Sequence, residues 1–369
     1  MERAIEPTNL TFNLTYRCRY RCVFCEVHPV RGFLERRASA RELEEEEVER
    51  IIDQAAGAGV RSVSFTGGEP FARGDIFGLI DFCAGSGITL GINTRHTFTS
   101  ADVGRLPPPG RLFFWVSLDA HCRELAERLA RRRGFFEPYL SGVRRLVDAG
   151  HRVACSVVVN RGNVRRLGDL FGLIHDLGIT EVHSREMTLT PACVDEYPRP
   201  GLEEASTLLL TAQDRELARA QEDTWRGRLR FGETVGSRLT AAPRGEARPA
   251  PRCNTPKGII NVRPDGKVVY CNLAHDLTIG DLRAQSFDEF LASSTLRQMV
   301  RPTRELFEGT RCQACHAFEE CTIIGRCYKL NRQLHGRLFV EDFKLCGRYL
   351  GAEVGEVLAA RVRQERHAS

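Results

Sequence analysis

The sequence has no apolar run long enough to cross a bilayer; the longest, near Leu112 to Leu118, is far too short. It also lacks a secretory signal, because residues 1–17 show no basic start followed by an apolar stretch. A large excess of charge of one sign is lacking as well. The 53 basic and 48 acidic residues leave a formal net charge of only +5, which gives no argument for a nucleic-acid partner. No long internal repeat is present. These absences predict a cytoplasmic protein with no membrane and no nucleic acid among its partners. An apolar fraction of 42% permits a sizeable core, and 369 residues suggest two or three domains.

Cysteine, in contrast, is abundant: the chain has 14. In a reducing compartment disulfides explain them poorly, and metal or cluster ligation explains them better. Ten fall into two groups, Cys18, Cys22 and Cys25, then Cys253, Cys271, Cys312, Cys315, Cys321, Cys327 and Cys346. Cys83, Cys122, Cys155 and Cys193 are scattered, and the first three read as packing residues. The first group has the spacing C-x₃-C-x₂-C. Its thiolates can hold three corners of a [4Fe–4S] cube. One iron then lacks a protein ligand and is open to a reactant, by the logic that leaves a catalytic zinc one free position. The rival reading is a zinc knuckle with His28 as fourth ligand.

Hydrophobic patterning in the first half alternates strands with amphipathic helices. Strands are predicted at 9–14, 62–65, 89–93, 112–118, 152–159 and 181–184. Helices are predicted around Leu43 to Ala55, Ile76 to Cys83, Leu140 to Val147 and Leu167 to Ile174, with Ser39 and Glu42 as a capping box for the first and Gly150 and Gly178 as stops. Six strands alternating with helices imply an α/β fold with a parallel sheet. Periodicity alone does not separate a doubly wound sheet from a partial barrel. Residues 201–240 look helical and charged, and 241–251 read as a Pro- and Ala-rich linker. Gly280-Asp281-Leu282 reads as a helix cap.

The cysteine run, followed by Thr66-Gly67-Gly68-Glu69-Pro70 after the second strand, resembles the radical S-adenosylmethionine (radical SAM) superfamily. The resemblance implies a partial (β/α)₆ TIM-like barrel. It implies that Gly67, Gly68 and Glu69 hold the methionine amino group of S-adenosylmethionine (SAM) beside the open iron. It further implies that Asn93, Ser117 and Asp119, at the ends of strands three and four, help bind the ribose and carboxylate, and that Phe24 packs near adenine. The cofactor chemistry is reductive cleavage of SAM to a 5′-deoxyadenosyl radical, which abstracts a substrate hydrogen atom.

The second cysteine group reads Cys253, Gly266-x₄-Cys271, then Cys312-x₂-Cys315-x₅-Cys321-x₅-Cys327, then Cys346. This resembles the SPASM extension of radical SAM enzymes, with one departure: the family has three residues before its sixth cysteine, and this chain has five. The resemblance implies two auxiliary [4Fe–4S] clusters, making three in all. Cys312, Cys315, Cys321 and Cys346 would ligate one. Cys253, Cys271 and Cys327 would hold the other, with His275 and His316 nearby. Structural zinc is the rival. The expected domains are a barrel at 1–200, a helical segment and linker at 201–250, the SPASM domain at 251–350 and a polar tail at 351–369.

Auxiliary clusters suit oxidation, in which an electron leaves the substrate. Epimerisation needs a thiol donor, for which Cys193 is a candidate. Only a few residues precede the first strand, so no leader-binding domain is expected there, and the first expectation is a small-molecule substrate of the sugar or aminocyclitol kind. The alternative is a peptide or protein maturase working with a separate delivery partner; a further one is a non-catalytic zinc or electron-transfer module. Sulfatase maturases carry an Asp where this chain has Asn272, which argues against their chemistry. A flavodoxin- or ferredoxin-type protein would supply electrons.

Overall fold

The computed structural model describes residues 3–25, 41–187, 206–233, 235, 255–272 and 274–342. They fall in two compact units, one of Thr8–Arg238 with Val262–Lys267, the other of Met1–Pro7, Leu239–Asn261 and Val268–Ser369.

The first unit is built on seven strands, β1 (Asn9–Thr15), β2 (Ser62–Gly67), β3 (Thr89–Thr94), β4 (Leu112–Ser117), β5 (Arg152–Val159), β6 (Glu181–Glu186) and β7 (Arg230–Glu233). Each pairs in parallel with the next, so the sheet runs β1 to β7 in chain order, and β7 does not close onto β1. This order decides between the two architectures left open by the patterning. A doubly wound sheet must reverse its strand order at a switch point. From β1 to β7 it never reverses, so right-handed crossovers place the helices between these strands on one face, as in a partial barrel. The helices are α1 (Glu45–Gly57), α2 (Ile76–Gly85), α3 (Ser100–Gly104), α4 (Arg123–Ala130), α5 (Phe136–Asp148), α6 (Leu167–Asp176) and α7 (Ala212–Trp225).

All six expected strands are present within a residue or two. β7 corrects the helical reading of 201–240 over Arg230–Glu233: its sequence RFGE has no apolar alternation, and it is a strand because it pairs with β6. α1 begins later than Ser39, which lies outside the described residues. The Glu47 carboxylate accepts the Glu44 N–H at 2.9 Å and closes a capping box there. Glu42 is engaged elsewhere, accepting from Thr15 Oγ1 at 2.6 Å.

The sheet's two faces differ. Val63 and Phe65 on β2 and Leu112, Phe114 and Val116 on β4 are buried, while Ser62, Ser64 and Thr66, and Phe113, Trp115 and Ser117, are half-buried. The alternation puts an apolar face under the helices and leaves an opposite face of hydroxyls and aromatics. Asn9 ties the start of that face together, donating to Ser62 Oγ at 3.0 Å and Ser64 Oγ at 3.2 Å. Farther along, the Trp115 and His183 rings meet edge to face at 4.4 Å between centroids.

The second unit contains most of β8 (Ile259–Val262) and of β9 (Lys267–Val269), all of β10 (Thr278–Asp281), hydrogen-bonded in that order, then α8 (Phe287–Leu291), α9 (Ser294–Val300), α10 (Phe318–Ile324) and α11 (Tyr328–His335). Gly280 and Asp281 are strand residues rather than a helix cap; α8 is capped by Ser286, whose Oγ accepts the Glu289 N–H.

Candidate active site

The C-terminal ends of β1 to β4 bring most of the expected residues together. Cys18, Cys22 and Cys25 lie in the loop after β1, all partly exposed. The loop is pinned to the end of α4 by Arg21 N–H on the Ala130 carbonyl at 3.1 Å and Val23 N–H on the Leu129 carbonyl at 2.9 Å. Cys22 feels the charge of Cys25, and Cys18 that of Cys22. Phe24 is half-buried in the same loop.

The Gly67-Gly68-Glu69-Pro70 turn lies directly against this loop. Gly68 N–H donates to the Thr15 carbonyl at 2.7 Å and Glu69 N–H to the Arg17 carbonyl at 2.9 Å. A Cβ on Gly68 would stand 2.3 Å from the Arg17 oxygen, and one on Gly67, where φ is +119°, 2.4 Å from the Thr15 oxygen. The glycines therefore let the turn dock on the cysteine loop's own backbone, a role beyond the SAM-holding one that the resemblance implies.

Glu69 is 4% exposed. Its Oε1 accepts from Thr94 Oγ1 at 2.6 Å and Phe71 N–H at 3.3 Å, and its Oε2 from Arg95 N–H at 2.8 Å. Burial raises its pKa against the lowering effect of those bonds. Asn93 is half-buried on the hydroxyl-bearing face, opposite Trp115 in register. The Ser117 carbonyl accepts from Tyr139 Oη at 2.8 Å. Asp119 Oδ1 accepts the Val158 N–H at 2.7 Å, and its Oδ2 pairs with Arg95 Nη2. Both carboxylates are thus committed to protein donors, which makes them organisers of the strand ends.

Arg95 and Thr94 were not singled out in the sequence, although they directly follow Asn93 at the end of β3. Arg95 Nη1 donates to Cys22 Sγ at 3.5 Å, and its carbonyl accepts from Tyr20 Oη at 3.0 Å. Burial works against its charge, but Cys22 and Asp119 outweigh burial and its pKa rises.

These features fit an iron–sulfur group. Burial pushes the Cys18 and Cys22 thiols up to about 11, so thiolates there need a strong positive neighbour, which cluster iron supplies. Tyr20 N–H on Cys18 Sγ at 3.4 Å and Arg95 on Cys22 Sγ are donors of the kind that sulfur ligands of a cluster accept. Among the described residues no three His, Cys, Asp or Glu side chains are gathered tightly enough for one metal ion. A cube does not require that, since each thiolate binds its own iron.

In the second unit Cys312, Cys315 and Cys321 come close enough for Cys321 to feel the charge of both others, and burial pushes Cys321 up to about 11. Arg326 Nη1 donates to Cys312 Sγ at 3.4 Å. Cys327 N–H donates to Asp342 Oδ2 at 2.7 Å. Cys271 is partly exposed after β9, His275 is buried and His316 exposed. Cys193, Cys253 and Cys346 lie outside the described residues, as does His28. Of the remaining thiols, Cys83 and Cys155 are fully buried as packing residues should be, whereas Cys122 is partly exposed at the start of α4. No helix among the described residues is long and apolar enough to cross a membrane.

Comparison with known proteins agrees with this geometry. Residues 12–171 match the Radical SAM superfamily and residues 253–322 the SPASM iron-sulfur cluster-binding domain. A PqqA peptide cyclase of Granulibacter bethesdensis is 27% identical over 298 residues, covering 76% of this chain and 77% of that protein. An AdoMet-dependent heme synthase of Oleidesulfovibrio alaskensis is 28% identical but covers only 38% of this chain and 37% of its own. In fold, the chain resembles Streptococcus suis SuiB bound to precursor peptide SuiA, with a TM-score of 0.65 at 17% identity over 91% of this chain and 75% of that one. The chain belongs to the radical SAM superfamily and carries its SPASM extension, with S-adenosylmethionine and [4Fe–4S] clusters, auxiliary ones included, as its cofactors.

Proposed function

We propose that this radical SAM enzyme modifies a peptide, oxidatively, with electrons supplied by a flavodoxin- or ferredoxin-type protein. One observation carries the reading. The match to a peptide cyclase spans about three quarters of both chains, too much to lie within the radical SAM part alone, whereas the match to a heme synthase stops at 38% of this chain. The sugar or aminocyclitol substrate expected first finds no support in these relatives, and the peptide alternative takes its place.

The bound cofactors supply a 5′-deoxyadenosyl radical that removes a hydrogen atom from the substrate. The protein's own residues position and shield. Glu69, through Thr94 and the Arg95 N–H, locks the glycine turn to the end of β3. Arg95 and Asp119 fix the β4 end, and Cys18, Cys22 and Cys25 hold the SAM-binding cluster. Asn93 and Ser117, on the hydroxyl-bearing face, offer donors and acceptors that suit peptide amides as well as SAM, and Trp115 with His183 adds an aromatic wall. Cys312, Cys315 and Cys321 with Cys346 hold one auxiliary cluster; Cys253, Cys271 and Cys327 hold the second.

The test uses anaerobically reconstituted enzyme, SAM and dithionite with peptides encoded by short reading frames beside its gene. A peptide that loses two hydrogens, and whose deuterium appears in 5′-deoxyadenosine, supports the reading. Deuterium transfer from a sugar or aminocyclitol, with every such peptide inert, overturns it.

A further inference from the structure

The five residues between Cys321 and Cys327 end in Arg326. This is where the chain departs from the SPASM spacing, and it carries an unusual side chain. Arg326 is 3% exposed. Its guanidinium lies over Phe307 and Phe318, 4.6 and 5.1 Å from the ring centroids. Its Nη1 reaches Cys312 Sγ, and its Nε is buried with no hydrogen-bond partner among the described residues. The same residue's carbonyl accepts from Tyr270 Oη at 2.6 Å, immediately before Cys271, and its chain neighbour is Cys327. Its side chain therefore addresses the cysteine set of one auxiliary cluster while its backbone is tied to that of the other.

A buried cation is costly unless it is compensated. Two aromatic faces return part of that cost. The hydrogen-bonded partner here is a sulfur, and the charge is balanced when that sulfur belongs to an anionic cluster. Each electron added to such a cluster increases its negative charge, so an adjacent N–H cation favours the reduced form.

We propose that Arg326 sets the two auxiliary clusters apart in reduction potential, holding the one bound by Cys312 higher. The inference rests on the assignment of two clusters to this unit.

The experiment is an EPR-monitored titration with dithionite, each cluster taking up one electron from the titrant. A background with Cys18, Cys22 and Cys25 replaced by alanine leaves only auxiliary signals. In R326Q, with iron and sulfide unchanged, one auxiliary cluster shifts at least tenfold toward its oxidised form at fixed potential, about 59 mV for one electron. The other stays in place, and R326K, which keeps the charge, shifts less. Two unmoved potentials in a fully loaded R326Q overturn the inference. A parent without auxiliary signals instead overturns the cluster assignment, and the inference with it. Should R326Q shed its iron, the same background labelled with guanidino-¹⁵N arginine decides: a ¹⁵N coupling at one reduced cluster supports the inference, and its absence at both overturns it.

Discussion

Nη1 of Arg95, at the end of β3, stands 3.5 Å from Sγ of Cys22, in the loop after β1. The first chemistry-bearing loop is thus wired to the rest of the barrel end through one buried cation, whose other nitrogen meets Asp119.

Asp119→Asn removes the carboxylate and leaves that cation buried without its ion pair. Losing one partner of a buried pair costs about 3–5 kcal/mol. The cluster-free protein should lose stability of that order in denaturant unfolding, and the loaded protein less, because cluster-bound Cys22 still faces Arg95. Equal losses in the two forms would contradict the wiring.

Gly68→Ala places a methyl group against the Arg17 carbonyl, where backbone rather than a flexible side chain must give way. Overpacking of this kind costs about 1–3 kcal/mol. SAM binding, measured by equilibrium dialysis on the reconstituted enzyme, should weaken by roughly tenfold or more, since about 1.4 kcal/mol is a factor of ten. The auxiliary EPR signals should be unaltered.

Cys22→Ala removes one corner ligand of the N-terminal site. Anaerobically reconstituted wild type should carry about twelve irons, three cubes' worth, and the variant about four fewer. With dithionite and SAM the variant should make no 5′-deoxyadenosine, as read by chromatography.

Glu222, on α7, is buried and accepts the Val235 N–H at 3.0 Å. Burial raises its pKa above the ordinary glutamate value, against the lowering effect of the Val235 bond. The folded chain therefore holds this proton more tightly than the unfolded one. The stability it contributes is complete below the ordinary glutamate range and is lost as pH climbs through the raised folded value. Glu222→Gln should flatten that decline in a series of denaturant melts; an unchanged pH profile would refute the assignment.

The strands and helices of the barrel were legible because each is written in a local period. Val48, Ile51, Ile52 and Ala55 mark the buried face of α1 without help from the rest of the chain. β7 was not legible: Arg230–Glu233 has too little apolar pattern, and only β6 beside it makes it a strand. The cysteine runs and the glycine turn were legible for a similar reason, since three thiols within eight residues must share a site wherever the loop lies. Thr94, Arg95 and Arg326 were missed because their importance comes from partners 25, 73 and 14 residues away in the chain.

By itself, then, the amino-acid sequence determined the alternation of strand and helix, the two clusters of sulfur ligands and the turn that accompanies the first. Those are properties of neighbours along the chain. Tertiary structure decided that β1 to β7 pair in chain order, that Gly67 and Gly68 dock on the cysteine loop, and which buried arginine reaches which sulfur. Those depend on the order in which distant strands pair, and steric closeness between backbones is set only once that order is complete.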